Sequence, residues 1–258
     1  VTIHGMVYRM FKMYLAFATK EPEQPDQELL KKLLIYPGIL RLKLISSLCS
    51  GVDFQIKPKF NNVNGLSSVY NSVISEVKNE IDAEKDSGCI IFVHDDVAIQ
   101  DLYFFEKIIE YHKEFDVIGV AGSTQLNSKS DKIAWHISNP SCHRGAVMHN
   151  TKEKNVFYIN SFGSMPSRVC VIDGLFISVS FNSLYNRHLR FDEDFSFDFY
   201  DAALCANAIL FDLKIGVIPL SIYHGSHGDG ILAEKYDVES KKFCEKYITL
   251  LKNHKILL

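Results

Sequence analysis

Apolar residues along this chain gather into short runs separated by polar, loop-forming stretches, and the period of each run suggests an element. Residues 13–19 (MYLAFAT) read as a first strand, followed by a polar, proline-bearing turn at 20–27 and a helical stretch over 28–36. Residues 53–57 form a short candidate strand. A loop at 61–65 opens onto a helix over 67–83, with Ser67 as its cap and Val69, Val73, Ile74, Val77 and Ile81 at helical spacing. The run Cys89-Ile90-Ile91-Phe92-Val93 is rich in β-branched and aromatic side chains, as befits a strand buried on both faces. Residues 97–115 look helical, and 117–121 form another apolar strand.

Strand and helix therefore alternate, the signature of a mostly parallel, doubly wound α/β sheet. Over 122–168 that rhythm fails. This irregular segment holds the single tryptophan, Trp135, with His136, His143, His149 and many Ser and Asn, and long segments of this kind are usually lids or binding loops. A second buried run at 169–180 is interrupted by Asp173-Gly174. A helix over 199–210, a strand at 214–218, a Gly/His-rich loop at 221–230 and a charged helix over 232–251 complete the pattern.

Composition narrows the class. At 258 residues, one α/β domain with a small appendage is expected, and 47% hydrophobic with 23% charged residues are those of a soluble globule. The net charge of -3, from 28 basic and 31 acidic residues, argues against nucleic acid as a partner. Six cysteines (49, 89, 142, 170, 205, 244) lack the spacing of a structural zinc site, and reduced thiols in the cytoplasm are the expectation. No stretch reaches the ~18 apolar residues that span a bilayer, and no signal-peptide core is visible near the start. Arg9, Lys12 and the lysines of the last helix offer either a peripheral contact with anionic lipid or a solvated face.

Three clusters could carry chemistry. The buried strand ends at His94-Asp95-Asp96, on the edge where open α/β sheets bind ligands. Two carboxylates about 4 Å apart repel by ~4 kcal/mol at an effective dielectric near 20, so the pair calls for a cation. The competing reading is that it caps the next helix. The second cluster is Asp192-Glu193-Asp194 with Asp198 and Asp201; the third is His224-Gly225-Ser226-His227-Gly228. Each alone is ordinary, but a parallel sheet can bring all three to one edge.

Taken in order, the segment from Gly65 to Asn71 (GLSSVYN), CIIFVHDDV, FDEDF with FDFYDAALCANAILFDLKIGVIP, and IYHGSHG resemble the GT-A glycosyltransferases of the family 2 type, over roughly residues 61–228. The resemblance implies a GT-A domain over 6–230, with 122–168 on its acceptor side, and a C-terminal helix over 231–258. It implies an inverting, metal-dependent transfer of a sugar from a nucleotide-sugar donor, foremost a UDP-sugar, to a saccharide or lipid-linked acceptor in bacterial surface-polysaccharide synthesis.

By position, Asp96 matches the direct ligand of Mn²⁺ or Mg²⁺, and His224 a late histidine that completes the metal shell. His94 stands where the family has its first Asp, and His94 and Asp95 fall beside the nucleotide sugar. Thr19, Asn62, Gly65 and Asn71 fall along the nucleotide. Asp201 matches the catalytic base, with Tyr200 where Glu is common; Asp198, three residues earlier, is the rival base and otherwise an acceptor contact. A carboxylate at a helix N-terminus is expected to stay ionised. Asp173 and Gly174 could line the acceptor pocket or form a tight turn, and Trp135 could stack on a sugar or pack in the core.

Two other classes compete. A nucleotidyltransferase making nucleotide sugars would want a Gly-rich basic loop after the first strand, which Ala18-Thr19-Lys20-Glu21-Pro22 is not. A non-catalytic sugar-binding module would not need both Asp96 and Asp201.

Overall fold

The computed structural model describes residues 2–3, 6–7, 10–126, 135, 138–150, 157–225 and 234–253. In chain order, a two-residue pair β1 (Thr2–Ile3) and β2 (Met6–Val7) precedes β3 (Phe11–Ala18), α1 (Asp26–Lys32), α2 (Ile35–Leu48), β4 (Val52–Lys59), α3 (Leu66–Lys78) and β5 (Gly88–Val93). Then follow β6 (Val97–Ile99), α4 (Phe104–Tyr111), β7 (Val117–Gly119), β8 (Ala121–Ser123), β9 (His143–Asn150), β10 (Phe157–Gly163), β11 (Ser167–Val169), β12 (Val171–Ile172) and β13 (Phe176–Ser180). The remainder is α5 (Tyr200–Leu210), β14 (Ile215–Val217), β15 (Ile222–His224), α6 (Glu234–Phe243) and α7 (Thr249–Asn253).

The main sheet has the order β11-β14-β7-β13-β5-β3-β4. Strands β4, β3, β5, β7 and β14 run one way, while β13 and β11 run against them. The mostly parallel α/β sheet expected from the alternation is therefore present, with an antiparallel strand at its centre. Alternation along β3 shows why helices cover both faces. Tyr14 and Ala16 join a core with Val69, Val73, Val77 of α3 and Ala203 of α5, whereas Met13, Leu15 and Phe17 join another with Ile39 and Leu42 of α2 and Phe105 and Ile108 of α4. Strand β5, between them, is buried along its whole length.

A second sheet, β12-β8-β9-β15-β6 with β10 paired to β9, corrects two expectations. Residues 97–115 are not one helix: Val97–Ile99 is a strand paired with β15, and α4 begins only at Phe104. The Asp95-Asp96 pair thus caps no helix; ahead of α4, Asp101 closes a turn by accepting a hydrogen bond from the Tyr103 N–H at 2.9 Å. Within 122–168, the β9–β10 hairpin is regular structure. Its outer strand is largely exposed, so no buried face imposed an apolar period there.

The predicted helix at 28–36 is two helices, broken at Leu33-Leu34. Pro37-Gly38 reads as a breaker in sequence, yet Pro37 lies in the first turn of α2, where no backbone bond is lost. Gly38 lets α2 approach β6 so closely that an added Cβ would sit 3.1 Å from the Ile99 nitrogen. Among the described residues, no helix is long and apolar enough to cross a membrane.

Candidate active site at the carboxyl edge of the main sheet

Strands β3, β4 and β5 are parallel neighbours, so their carboxyl ends deliver Thr19, the 61–65 loop and His94-Asp95-Asp96 to one rim. Backbone bonds lock the first two together: the Thr19 N–H donates to Lys59 O at 2.9 Å, and the Asn62 N–H to Thr19 O at 2.8 Å. At Gly65 an added Cβ would lie 2.7 Å from the Ser196 Cβ, so the absence of a side chain lets the 196 segment cross the start of α3. The Leu66 N–H donates to Ser196 O at 2.6 Å. These elements enclose a cleft of about 780 Å³ lined by Thr19, Lys20, Lys32, Asn62, Gly65, Asp95, Asp96 and Phe197. Its size is that of a typical small-molecule site.

Strand β15 brings His224 to the same rim. It pairs antiparallel with β6, His224 opposite Val97, and the Gly225 N–H donates to Asp96 O at 2.8 Å. The His224 Nε2 comes within 3.4 Å of Asp96 Oδ1. One donor atom each from His94, Asp96 and His224 fall within 4.8 Å of one another. Burial alone would push both partners of the His224–Asp96 pair toward their neutral forms. Their mutual hydrogen bond and charge outweigh it, so Asp96 titrates below the usual carboxylate range and His224 above the usual imidazole range. His94 is shifted down, chiefly by burial, against the pull of Asp173 and Asp96.

A smaller cavity of about 180 Å³ adjoins the cleft, lined by His94, Trp135, Asp173, Gly174, Asp198 and Asp201. Phe197, 57% exposed, borders both spaces and lies nearly parallel to the His94 ring, at 17° and 6.4 Å between centroids. Phe199 adopts a left-handed conformation (φ 64°) that turns the chain into α5 and sets Tyr200 and Asp201 in its first turn.

Asp201 is held by two backbone donors, Ala202 N–H to Oδ1 at 2.7 Å and Gly174 N–H to Oδ2 at 2.8 Å. Even so, burial and then the nearby Asp173 charge raise its pKa to about 7, against the lowering pull of those bonds. The expectation that the helix N-terminus would keep it firmly ionised is thereby corrected: desolvation outweighs the dipole. Asp173 accepts from Trp135 Nε1 at 3.1 Å and from the Leu175 N–H at 3.0 Å, so the two are fixed as one unit on the cavity wall.

The structure thus brings together Thr19, Asn62, Gly65, Asp95 and Asp96 around one space, with His224 against Asp96, and His94, Trp135, Asp173, Gly174, Asp198 and Asp201 around the next. Asn71 is the exception among the residues expected along the nucleotide. It lines neither space: its amide donates to Phe191 O at 2.9 Å, accepts from the Phe191 N–H at 3.0 Å and donates to Glu193, which pins α3 to the segment before α5. Asp192 and Asp194 of the second acidic cluster grip Lys246 at 2.7 and 2.6 Å. His227 lies outside the described residues. Phe197, Lys20 and Lys32 were missed; a lone aromatic or lysine in a loop carries no period or spacing to mark it.

A search of curated proteins finds no significant match. Among solved structures, A197 from STIV matches with a TM-score of 0.44 and 13% identity, covering 84% of this chain and 86% of that one. S. aureus TarS 1-349 matches with a TM-score of 0.43 and 11% identity, over 96% of this chain and 76% of that one; its complex with UDP gives 0.42. Residues 62–247, which carry Asp96, Asp173, Asp201 and His224, match the model of the glycosyltransferase-like family, and the chain belongs to that family as a glycosyltransferase.

Proposed function

We propose that the enzyme transfers a sugar, with inversion, from a nucleotide-sugar donor to a hydroxyl of a saccharide or lipid-linked acceptor, and that it requires a divalent cation. The observation that carries this reading is the pair of adjoining spaces that share Phe197, with Asp96 in one, the Asp201 carboxylate in the other, and His94 and His224 converging on Asp96. The donor set fits a cation. A nitrogen-to-oxygen separation of 3.4 Å between His224 and Asp96 is the edge of a coordination shell with bonds of roughly 2.1–2.4 Å. Bound there, Mn²⁺ or Mg²⁺ would supply Lewis-acid stabilisation of the diphosphate that departs.

The chain's own residues do the rest. Thr19, Asn62 and Gly65 bind the nucleoside portion of a UDP-sugar in the larger cleft, with Asp95 beside its ribose. Asp201 accepts the proton of the attacking acceptor hydroxyl, and a pKa of about 7 suits a base that must be ionised yet still basic near neutrality. Asp173 and Trp135 position the acceptor, and Asp198, on the same cavity wall, contacts it. Attack from the face opposite the leaving group inverts the anomeric centre. Synthesis of a bacterial surface polysaccharide on the cytoplasmic side is the setting we infer.

The test is a thermal-shift screen of UDP-, GDP-, CMP- and dTDP-sugars with and without Mn²⁺ or Mg²⁺, followed by NMR assignment of the product anomer. A ligand at 100 times its Kd stabilises by about 2.7 kcal/mol, which is readily measured. Metal-dependent stabilisation by a UDP-sugar and an inverted product are expected. Stabilisation by nucleoside triphosphates alone, or a product that retains configuration, would overturn the reading.

A further inference from the structure

His94 and Tyr200 are joined in a way that the transfer chemistry above does not use. The His94 Nε2 and the Tyr200 hydroxyl oxygen are 2.8 Å apart, and the same hydroxyl lies 2.7 Å from the Gly174 carbonyl oxygen. A phenol has one proton, and a carbonyl oxygen only accepts. The Tyr200 hydroxyl therefore donates to Gly174, and its oxygen receives a hydrogen from His94 Nε2. A neutral imidazole with hydrogen on Nε2 keeps its lone pair on Nδ1. Tyr200 is 3% exposed, so water does not compete for this arrangement. The His94 ring is further held between Tyr200 and Phe197.

This is the way protein scaffolds prepare a histidine for a metal: one ring nitrogen is spent on an outer partner, which fixes the tautomer and presents the other. The His94 ring also belongs to the group that converges with Asp96 and His224. We propose that His94 is a third metal ligand through Nδ1, that Tyr200 is its positioning residue, and that the centre consequently prefers first-row ions with nitrogen affinity, such as Mn²⁺ or Co²⁺, over Mg²⁺.

The preference follows from the donor set. Mg²⁺ favours oxygen ligands and retained waters, whereas two imidazoles and one carboxylate suit later first-row ions increasingly along the Irving–Williams order. Gly174 also donates its N–H to Asp201. One residue thus contacts the cation's outer partner through its carbonyl and the proton acceptor through its N–H.

The inference rests on the cation site of the proposed function, so its test uses no sugar donor. Metal-free protein would be titrated with Co²⁺ and followed by visible absorption, then challenged with Mg²⁺. The wild type is expected to bind Co²⁺ at least tenfold more tightly than Mg²⁺. His94→Asp should lower that ratio about tenfold or more, and Tyr200→Phe should weaken Co²⁺ by about 10–100-fold, the usual cost of losing an outer partner. Unchanged Co²⁺ affinity and spectrum in both folded variants would overturn the proposal.

Should either variant fail to fold, ¹⁵N NMR of the imidazoles in the wild-type protein decides: hydrogen on His94 Nε2 is expected, and hydrogen on Nδ1 would overturn it. The two readings fail separately. Co²⁺ binding that depends on His94, without stabilisation by any nucleotide sugar, would remove the proposed transfer chemistry alone. Co²⁺ binding lost in Asp96→Ala but untouched in His94→Asp would remove only this inference.

Discussion

The carboxyl group of Asp201 offers the sharpest quantitative test. With a pKa of about 7, it is ionised in roughly 9% of molecules at about pH 6 and roughly 91% at about pH 8. If it is the base, kcat at saturating donor, acceptor and metal should rise about tenfold across that interval. Saturating metal matters because it keeps protonation of His224 from shaping the same limb. The second-largest cause of the raised pKa is the Asp173 charge, so Asp173→Asn should move the limb without abolishing it. A neighbouring charge moves a carboxylate pKa by roughly 1–3 units. Allowing for solvent, we expect a downward shift of about one unit, so that roughly half the molecules are ionised at about pH 6 and the activity there, relative to the plateau, rises about fivefold. The single amide oxygen of Asp173→Asn can keep only one of the two donors, Trp135 Nε1 or the Leu175 N–H, so a thermal melt of the variant accompanies the profile. The assay is a pH–rate profile with buffers of constant ionic strength, reading the position of the limb rather than its height. A flat wild-type profile, or a limb that Asp173→Asn leaves in place, would refute the assignment of Asp201 and its coupling to Asp173.

Asp201→Asn should lower kcat by about 10²–10⁴-fold while leaving donor affinity intact. Because the native state holds the Asp201 proton that the unfolded chain releases, wild-type stability falls as pH rises from about 4 through about 7, by at most on the order of 4 kcal/mol; denaturant melts of Asp201→Asn should show a shallower fall. Asn71→Ala removes the hydrogen bonds that join α3 to Phe191 and should cost about 2–3 kcal/mol in urea melts, with nucleotide affinity unchanged in the folded fraction. Asp96→Asn should abolish the rise in Tm produced by Mn²⁺. In the wild type that rise should shrink as pH falls, because the proton that Asp96 favours on His224 competes with the cation.

The sequence announced the parts of the fold that bury two faces or one regular stripe. Strand β5 reads as apolar throughout because helices cover both its sides, and α3 shows its stripe because one face alone meets the sheet. The second sheet was hidden for the opposite reason. Strand β6 is three residues long, and β10 is exposed, so neither had room for a period. In the site, the gathering of Asp96, Asp201 and His224 was legible through the resemblance of their motifs, in chain order, to those of a family. Asn71 matched as well, yet position along a helix does not specify whether an amide faces a ligand or a neighbouring backbone. The elevated pKa of Asp201 was illegible because it depends first on burial, which only the packed fold creates, and then on Asp173, which is distant in sequence and arrives through the turn before β13.

The pairing of β15 carries a consequence for how this protein can change. His224 reaches Asp96 by backbone register, opposite Val97 on one side and level with His149 on the other. Neighbouring strand residues point to opposite faces, so the contact depends on parity. Insertion of a single residue ahead of Tyr223 would put its phenol where the imidazole stands, and loss of one would put Gly225 there. A change of two restores the facing but carries His224 about 6.6 Å along the strand, beyond reach of Asp96, so the length of this short strand is held fixed.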